Sequence, residues 1–173
     1  MTPMPHLPIM ADAVDPDLIP SRFTIAMPYI NGWYSWPKAA EHRFGRVIRI
    51  SVEPGQPEAA RYARALDVEP GAAGIEDIAP FMQRRASLGH HDGTTYANVT
   101  TIAQIPPQVA QDIVRLIVAW WWNQPGYPAR EDVHAQLGTM RDYITIDQIW
   151  GCQFRHHAGF DETVVYGQRD FSR

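Results

Sequence analysis

Asp67 and Glu69 sit in the stretch Ala65-Leu66-Asp67-Val68-Glu69-Pro70-Gly71, which alternates in polarity and then stops at Pro-Gly. That pattern predicts a strand with both carboxylates on one face at its C-terminal end. In an α/β fold the C-terminal ends of strands are where chemistry is placed. Two carboxyl groups held close on a rigid strand end interact, so one keeps its proton while the other stays ionised. Glycoside hydrolysis needs such a pair, one group to protonate the leaving oxygen and one to stabilise the positive charge that develops on the sugar. The competing reading is a solvated or salt-bridged pair at a strand end, with Arg46 or Arg49 on a neighbouring strand as partner.

The chain has 173 residues, 45% of them hydrophobic, and a net charge of -4. One domain with one sizeable core is the natural expectation at that length. Acidic and basic residues are scattered, with no Lys/Arg run to follow a phosphate backbone, so no nucleic-acid partner is expected. A single cysteine, Cys152, excludes an internal disulfide. It reads as a small buried hydrophobe on a strand. No window reaches membrane-spanning length, because the most apolar stretch, Ile113 to Trp122, is short and interrupted by Arg115. Met1 to Pro20 lacks a basic n-region and an apolar run, so no signal peptide is expected.

Two histidine pairs, His90-His91 followed by Asp92 and His156-His157, raise a metal-dependent hydrolase as a weaker possibility. Adjacent side chains on an extended segment point to opposite faces, so each pair supplies one ligand at most. Loop histidines are the expectation, with no metal and no cofactor. Activity unchanged by chelation would remove the metal option.

These residues need elements to hold them. Prolines at 3, 5, 8, 16 and 20 predict an extended N-terminal arm over 1–20, either a free tail or a strap on a partner subunit, and a main domain over 21–173. Phe23 to Ile30 reads as a first strand running into the aromatic turn Asn31-Gly32-Trp33-Tyr34-Ser35-Trp36-Pro37. A short helix at Lys38 to Phe44 follows, then a strand at Arg46 to Val52 and a helix or turn at Pro57 to Arg64. After the Asp67/Glu69 strand, Ile75, Ile78, Phe81, Met82 and Leu88 recur at helical spacing before Gly89. Thr94 to Thr101 reads as a strand, and Pro106 opens an amphipathic helix carrying Val109, Ile113, Leu116 and Ile117. Val118 to Asn123 reads as a strand, with Trp120 and Trp122 on one face and Trp121 on the other. Gln148 to Phe154 and Thr163 to Tyr166 complete the strands. About seven strands with intervening helices predict an α/β domain built as a trimmed or incomplete (β/α) TIM-type barrel, because ordinary barrels are longer than this chain.

Several of these pieces, taken in order, resemble the lysozyme-like family 25 glycoside hydrolases, and more closely the glycoside-hydrolase-like domains of actinobacteria and their phages. They are Tyr29-Ile30-Asn31-Gly32-Trp33-Tyr34-Ser35-Trp36, Leu66-Asp67-Val68-Glu69, Tyr96-Ala97-Asn98, Val118-Ala119-Trp120, and Trp150-Gly151-Cys152-Gln153-Phe154 with Phe160-Asp161. The resemblance covers roughly residues 23 to 171. It implies a barrel whose strand ends form a groove for a bacterial cell-wall glycan. It also implies Glu69 as general acid, Asp67 as the group that orients or stabilises the reacting centre, and Asp161 as a supporting acid. Asn31, Trp33, Tyr34, Tyr96, Asn98, Trp120 and Gln153 are the implied substrate-binding residues.

One position departs from the family. Its first strand commonly carries an aspartate near the turn, and the best-aligned residue here is Asn31, an amide that can serve neither as base nor as anion. A second reading follows from that departure: a catalytically silent barrel serving as a carbohydrate-binding or structural component of a virion. Without a leader, a phage-encoded hydrolase made in the cytoplasm would act outside the cell after lysis or as part of a particle. The N-terminal arm would then be the contact to that particle or to a second copy.

Overall fold

The computed structural model describes residues 7–167. It is a mixed α/β structure with a single curled nine-stranded sheet forming a half-barrel, in the order β3-β2-β1-β9-β8-β7-β6-β5-β4. The strands are β1 (Ile9–Asp12), β2 (Ile25–Ala26), β3 (Arg46–Val47), β4 (Ile50–Ser51), β5 (Ala65–Asp67), β6 (Thr94–Asn98), β7 (Arg115–Ala119), β8 (Ile149–His157) and β9 (Phe160–Val165). Six short helices connect them: α1 (Lys38–Glu41), α2 (Pro57–Tyr62), α3 (Ile78–Ser87), α4 (Val99–Ile102), α5 (Pro107–Ala110) and α6 (Arg130–Gln136). Among the described residues no helix is long and apolar enough to cross a membrane.

Neighbouring strands run parallel except at β9, which is antiparallel to both β8 and β1. The strand–helix rhythm therefore yields parallel pairing as expected until the closing hairpin, whose tight turn at Gly159 leaves no room for a crossover helix. The two edges of the pairing order, β3 and β4, are separated only by Ile48 and Arg49. Along this run Ile48 N donates to Ala26 O (2.9 Å), Ile50 N to Pro28 O (2.9 Å) and Ala65 N to Arg49 O (3.0 Å), and Tyr29 bridges Ile50 in parallel. One segment thus serves β2 on one side and β5 on the other.

Strand residues are buried on both faces, as parallel sheets require. In β7, Leu116 and Val118 pack outward under the helices with Leu66, Phe81, Ile102 and Ile113. Ile117 and Ala119 point to the concave side, where Met10, Ile50, Ala65, Tyr96, Trp150 and Val165 fill the interior. A register shift makes Trp150 an extra residue opposite β7, a bulge after which Gly151 pairs with Ile117 and Gln153 with Ala119.

Several segments depart from the sequence reading, among them Thr94 to Thr101, whose strand ends at Asn98 before α4 starts. The described part of the expected arm, 7–20, contains β1, which lies in the middle of the sheet between β2 and β9, and a 3-10 turn at Pro16–Leu18. Its prolines flank the strand rather than interrupt it, so the ladder survives. Residues 1–6 lie outside the described residues. The expected first strand shrinks to Ile25–Ala26 and is second in order. The amphipathic helix after Pro106 is a single turn, because Leu116 and Ile117 are needed in β7 and Val118–Asn123 contributes only its first two residues to that strand.

Two buried polar pins fix the loops. Arg85 on the inner face of α3 donates to the carbonyls of Ala60 (3.1 Å) and Ala63 at the end of α2, and to Asp92 Oδ1 (2.5 Å). It thereby satisfies the orphan carbonyls of that helix end. The second pin is Asn31. Its Nδ2 donates to Ser51 Oγ (3.0 Å) and Glu53 O (3.1 Å), while Oδ1 accepts from Val52 N (3.0 Å) and Glu53 N (3.3 Å). Asn31→Ala is expected to destabilise the fold by about 2 kcal/mol, since it strands several buried groups at once. A urea unfolding midpoint unchanged by that substitution would contradict the assignment.

Candidate functional site

The C-terminal ends of the parallel strands, together with the start of β9, form one rim. At that rim lies a cavity of about 830 Å³ whose lining includes Asp12, Tyr29, Glu69, Tyr96, Asn98, Trp120, Trp121, Gln153, His156 and Asp161. Thr100, Thr101, Gln104 and Asn123 supply a neutral polar wall.

Glu69 reaches the cavity because the chain leaves β5 in a tight turn. Ala72 N donates to Glu69 O (2.9 Å), Ala73 N returns to Asp67 O (3.0 Å), and Gly71 takes the positive φ of 91° that this reversal needs. Asn98, at the end of β6, holds the carboxylate by donating from Nδ2 to Glu69 Oε1 (3.1 Å). Its own Oδ1 accepts from Thr101 N (2.8 Å) and caps α4. Asn98 is therefore a positioning residue whose polar atoms are already engaged. Burial lifts the Glu69 carboxyl above its ordinary range, against the lowering effect of the Asn98 bonds.

Asp67 shares the concave side with Glu69 but does not line the cavity. It is only 6% exposed, and Oδ1 has no hydrogen-bond partner among the described residues. Burial, aided by the Glu69 charge, pushes its carboxyl up to about 7. Of the two acids the deeper one thus carries the proton into neutral pH, and the shallower one meets the solvent. Arg49, one of the arginines of the competing reading, is engaged by Glu41 instead, with Nη2 to Oε2 at 2.7 Å.

Asp161 opens β9 and stands opposite Asp12 in the β1–β9 register. His156 Nδ1 lies 2.5 Å from Asp161 Oδ1, and Gln153 Nε2 donates to Asp161 Oδ2 (3.0 Å). Burial raises this carboxyl, and the His156 contact opposes the rise. Gln153 also reaches Asp12 Oδ1 (3.5 Å), and its Oε1 accepts from Tyr96 OH (2.6 Å), which fixes the amide with its NH₂ toward the acids.

Asp12 is the residue that the sequence reading missed. Desolvation, reinforced by the Asp161 charge, drives its carboxyl well above the usual range. Its Oδ2 has no partner among the described residues, and the residue is 4% exposed. The available signal was the run Ile9-Met10-Ala11-Asp12, an apolar strand ending in an acid, hidden among prolines.

Of the residues expected at the site, Glu69, Asp161, Tyr96, Asn98, Trp120 and Gln153 line the cavity, while Asp67, Asn31, Trp33 and Tyr34 do not. Trp33 is 98% exposed, and Tyr34 packs edge-on against the cavity residue Tyr29 at 6.2 Å between ring centroids. The tryptophans follow β7 rather than lie on it: Trp120 meets Trp122 at 5.3 Å, Trp121 turns to His156 at 6.0 Å, and Trp120 and Trp121 both line the cavity. His156 and His157 lie on β8 rather than in a loop, facing Asp161 and Glu162 respectively. Among the described residues no group of three or more His, Cys, Asp or Glu side chains is arranged to hold a metal ion. Cys152 is buried, its thiol pushed up to about 12 by desolvation, so it is no nucleophile.

The arrangement can protonate a leaving group through Glu69 and stabilise a developing cation through Asp161, inside a cavity sized for sugar rings and bordered by aromatic side chains. No family model, no curated protein and no solved structure matches the chain.

Proposed function

We propose that the protein is a cell-wall glycan hydrolase of lysozyme type, working at the rim of a trimmed TIM-type (β/α) barrel. The observation that carries this reading is the convergence of Glu69, Asp161 and Asp12 in one rim cavity. Closure of the barrel is supported by segment 46–51, which hydrogen-bonds to both flanking strands. The likeness to family 25 glycoside hydrolases is strengthened by Asp12: the first strand does end in an aspartate, so Asn31 is no longer the residue to set against that family position.

In this mechanism Glu69 gives its proton to the glycosidic oxygen as the bond to the sugar breaks. Asp161, ionised and held by His156 and Gln153, faces the positive charge on the ring. Water then adds to the sugar and returns a proton to Glu69. Asp67 does not touch substrate; its proton keeps a second negative charge from accumulating beneath Glu69 and so tunes that acid. The enzyme would meet its polymer outside the cell, after lysis or carried in a phage particle.

The test is a turbidity and reducing-end assay on actinobacterial cell walls. Clearing with new reducing ends is expected. Tight binding to walls without new ends would reject hydrolysis and favour the carbohydrate-binding or virion-component reading, for which the nearly fully exposed Trp33 is the supporting feature. Neither binding nor cleavage would reject both.

A further inference from the structure

The cavity has an unusual charge composition for a sugar site. Its carboxyl-bearing lining residues are Asp12, Glu69 and Asp161, and no lysine or arginine lines it. The one basic group, His156, already faces Asp161. Arginines elsewhere are committed to other carboxylates, Arg22 to Glu162, Arg49 to Glu41, and Arg64 with Arg85 to Asp92. Three carboxyl groups therefore share a partly desolvated space with His156 as the one basic side chain in the lining, an arrangement whose cost a positively charged ligand would relieve.

A second, independent feature says where that charge would sit. Glu69 and Asp161 both receive donors from the protein, Asn98 for the first and Gln153 for the second. Asp12 Oδ2 receives none among the described residues, although Asp12 is almost completely buried and lines the cavity. A buried carboxylate oxygen without a donor is an acceptor waiting for one.

We propose that the cavity accepts a hexosamine bearing a free ammonium group, as in a partly de-N-acetylated glycan, with that group donating to Asp12 Oδ2 next to Asp161. The inference rests on the glycan reading of this cavity and narrows its substrate class. The groups that set the charge of Asp12 are Asp161, Asp67, Glu69, Gln153, Tyr29 and, beyond Asp161, His156. In the empty cavity desolvation and the Asp161 charge favour the protonated form of Asp12. An ammonium beside it favours the ionised form, so binding shifts protons from Asp12 towards the buffer.

The experiment is isothermal calorimetry with two probes of equal length, the glucosamine tetramer and its fully N-acetylated counterpart. It is run at about pH 6, where a free amine is protonated, in two buffers of different ionisation enthalpy. The amine form is expected to bind at least about tenfold tighter, to release more protons than the acetylated form does, and to weaken with added salt. Asp12→Asn and Asp161→Asn, each checked by thermal melting, should both reduce the preference. Equal or tighter binding of the acetylated tetramer, binding of neither, or a preference that persists in both folded variants would overturn the inference. The outcome is separable from cell-wall hydrolysis: walls cleaved without an amine preference sink this inference alone, and an amine preference without cleavage sinks only the hydrolase reading.

Discussion

Glu69→Gln is expected to lower the release of reducing ends from cell walls by about 10³-fold, within the range for removal of a general acid. The substitution keeps an oxygen for Asn98 to hold and removes only the transferable proton, so the turn through Gly71 and the cap of α4 stay as they are. Substrate affinity should change little, and the loss should fall on turnover. The pH profile of the wild type carries the same signature. A general acid must enter protonated, so activity falls as pH rises through the Glu69 pKa. Because burial raises that pKa, the falling limb sits closer to neutrality than for a free glutamate. At the acid end, activity falls as Asp161 takes up a proton. A Glu69→Gln protein that clears walls at the wild-type rate would end the mechanism.

Asp67→Asn should make the protein more stable at about pH 8, on the order of 3 kcal/mol. The folded pKa of Asp67, about 7, lies above its ordinary value of 3.8. Between those values the folded chain binds a proton that the unfolded chain has lost. The contribution of Asp67 is therefore fully present below about pH 4 and drains away as pH rises towards and through 7. An asparagine keeps a neutral side chain at all pH values and removes that drain. Thermal melts of both proteins at about pH 4 and pH 8 check it: the gap between them should be small at the lower pH and wide at the higher. A variant that melts lower than wild type at pH 8 would show that Asp67 is ionised and paired. Such a gain alongside lost hydrolysis would mark Asp67 as a group kept at a cost in stability.

The strand ending at Asp67 was legible because its alternation and its Pro-Gly stop agree with one another, although Glu69 falls in the turn after β5 rather than on it. The stretch Gly74 to Leu88 was legible for the same kind of reason, with apolar spacing and a closing Gly89, and it becomes a 3-10 turn followed by α3. What was not legible depended on partners far along the chain. Ile9–Asp12 is a four-residue strand in a proline-rich setting, and nothing local says that it pairs with the last strand. Ile113 to Ile117 has a helix-compatible spacing, yet burial on both faces of the sheet takes Leu116 and Ile117 into β7. Asn31 looked like a rim residue because it follows a strand and precedes aromatics. Its four-way bonding to residues 51–53 appears only once the second and third segments lie side by side. Gln153 came into view through resemblance alone, and the bulge at Trp150 that turns it toward the acids has no signature in the order of residues.

The pairing of β1 with β9 means that the candidate site is assembled from nearly opposite ends of the described chain. On a ribosome, Asp12 emerges early and waits, solvated and unremarkable, until the final hairpin is made and docks beside it. The acid cluster therefore needs the final hairpin in place. Before that the chain has only scattered carboxylates, so the proposed hydrolysis would be tied to completion of the fold.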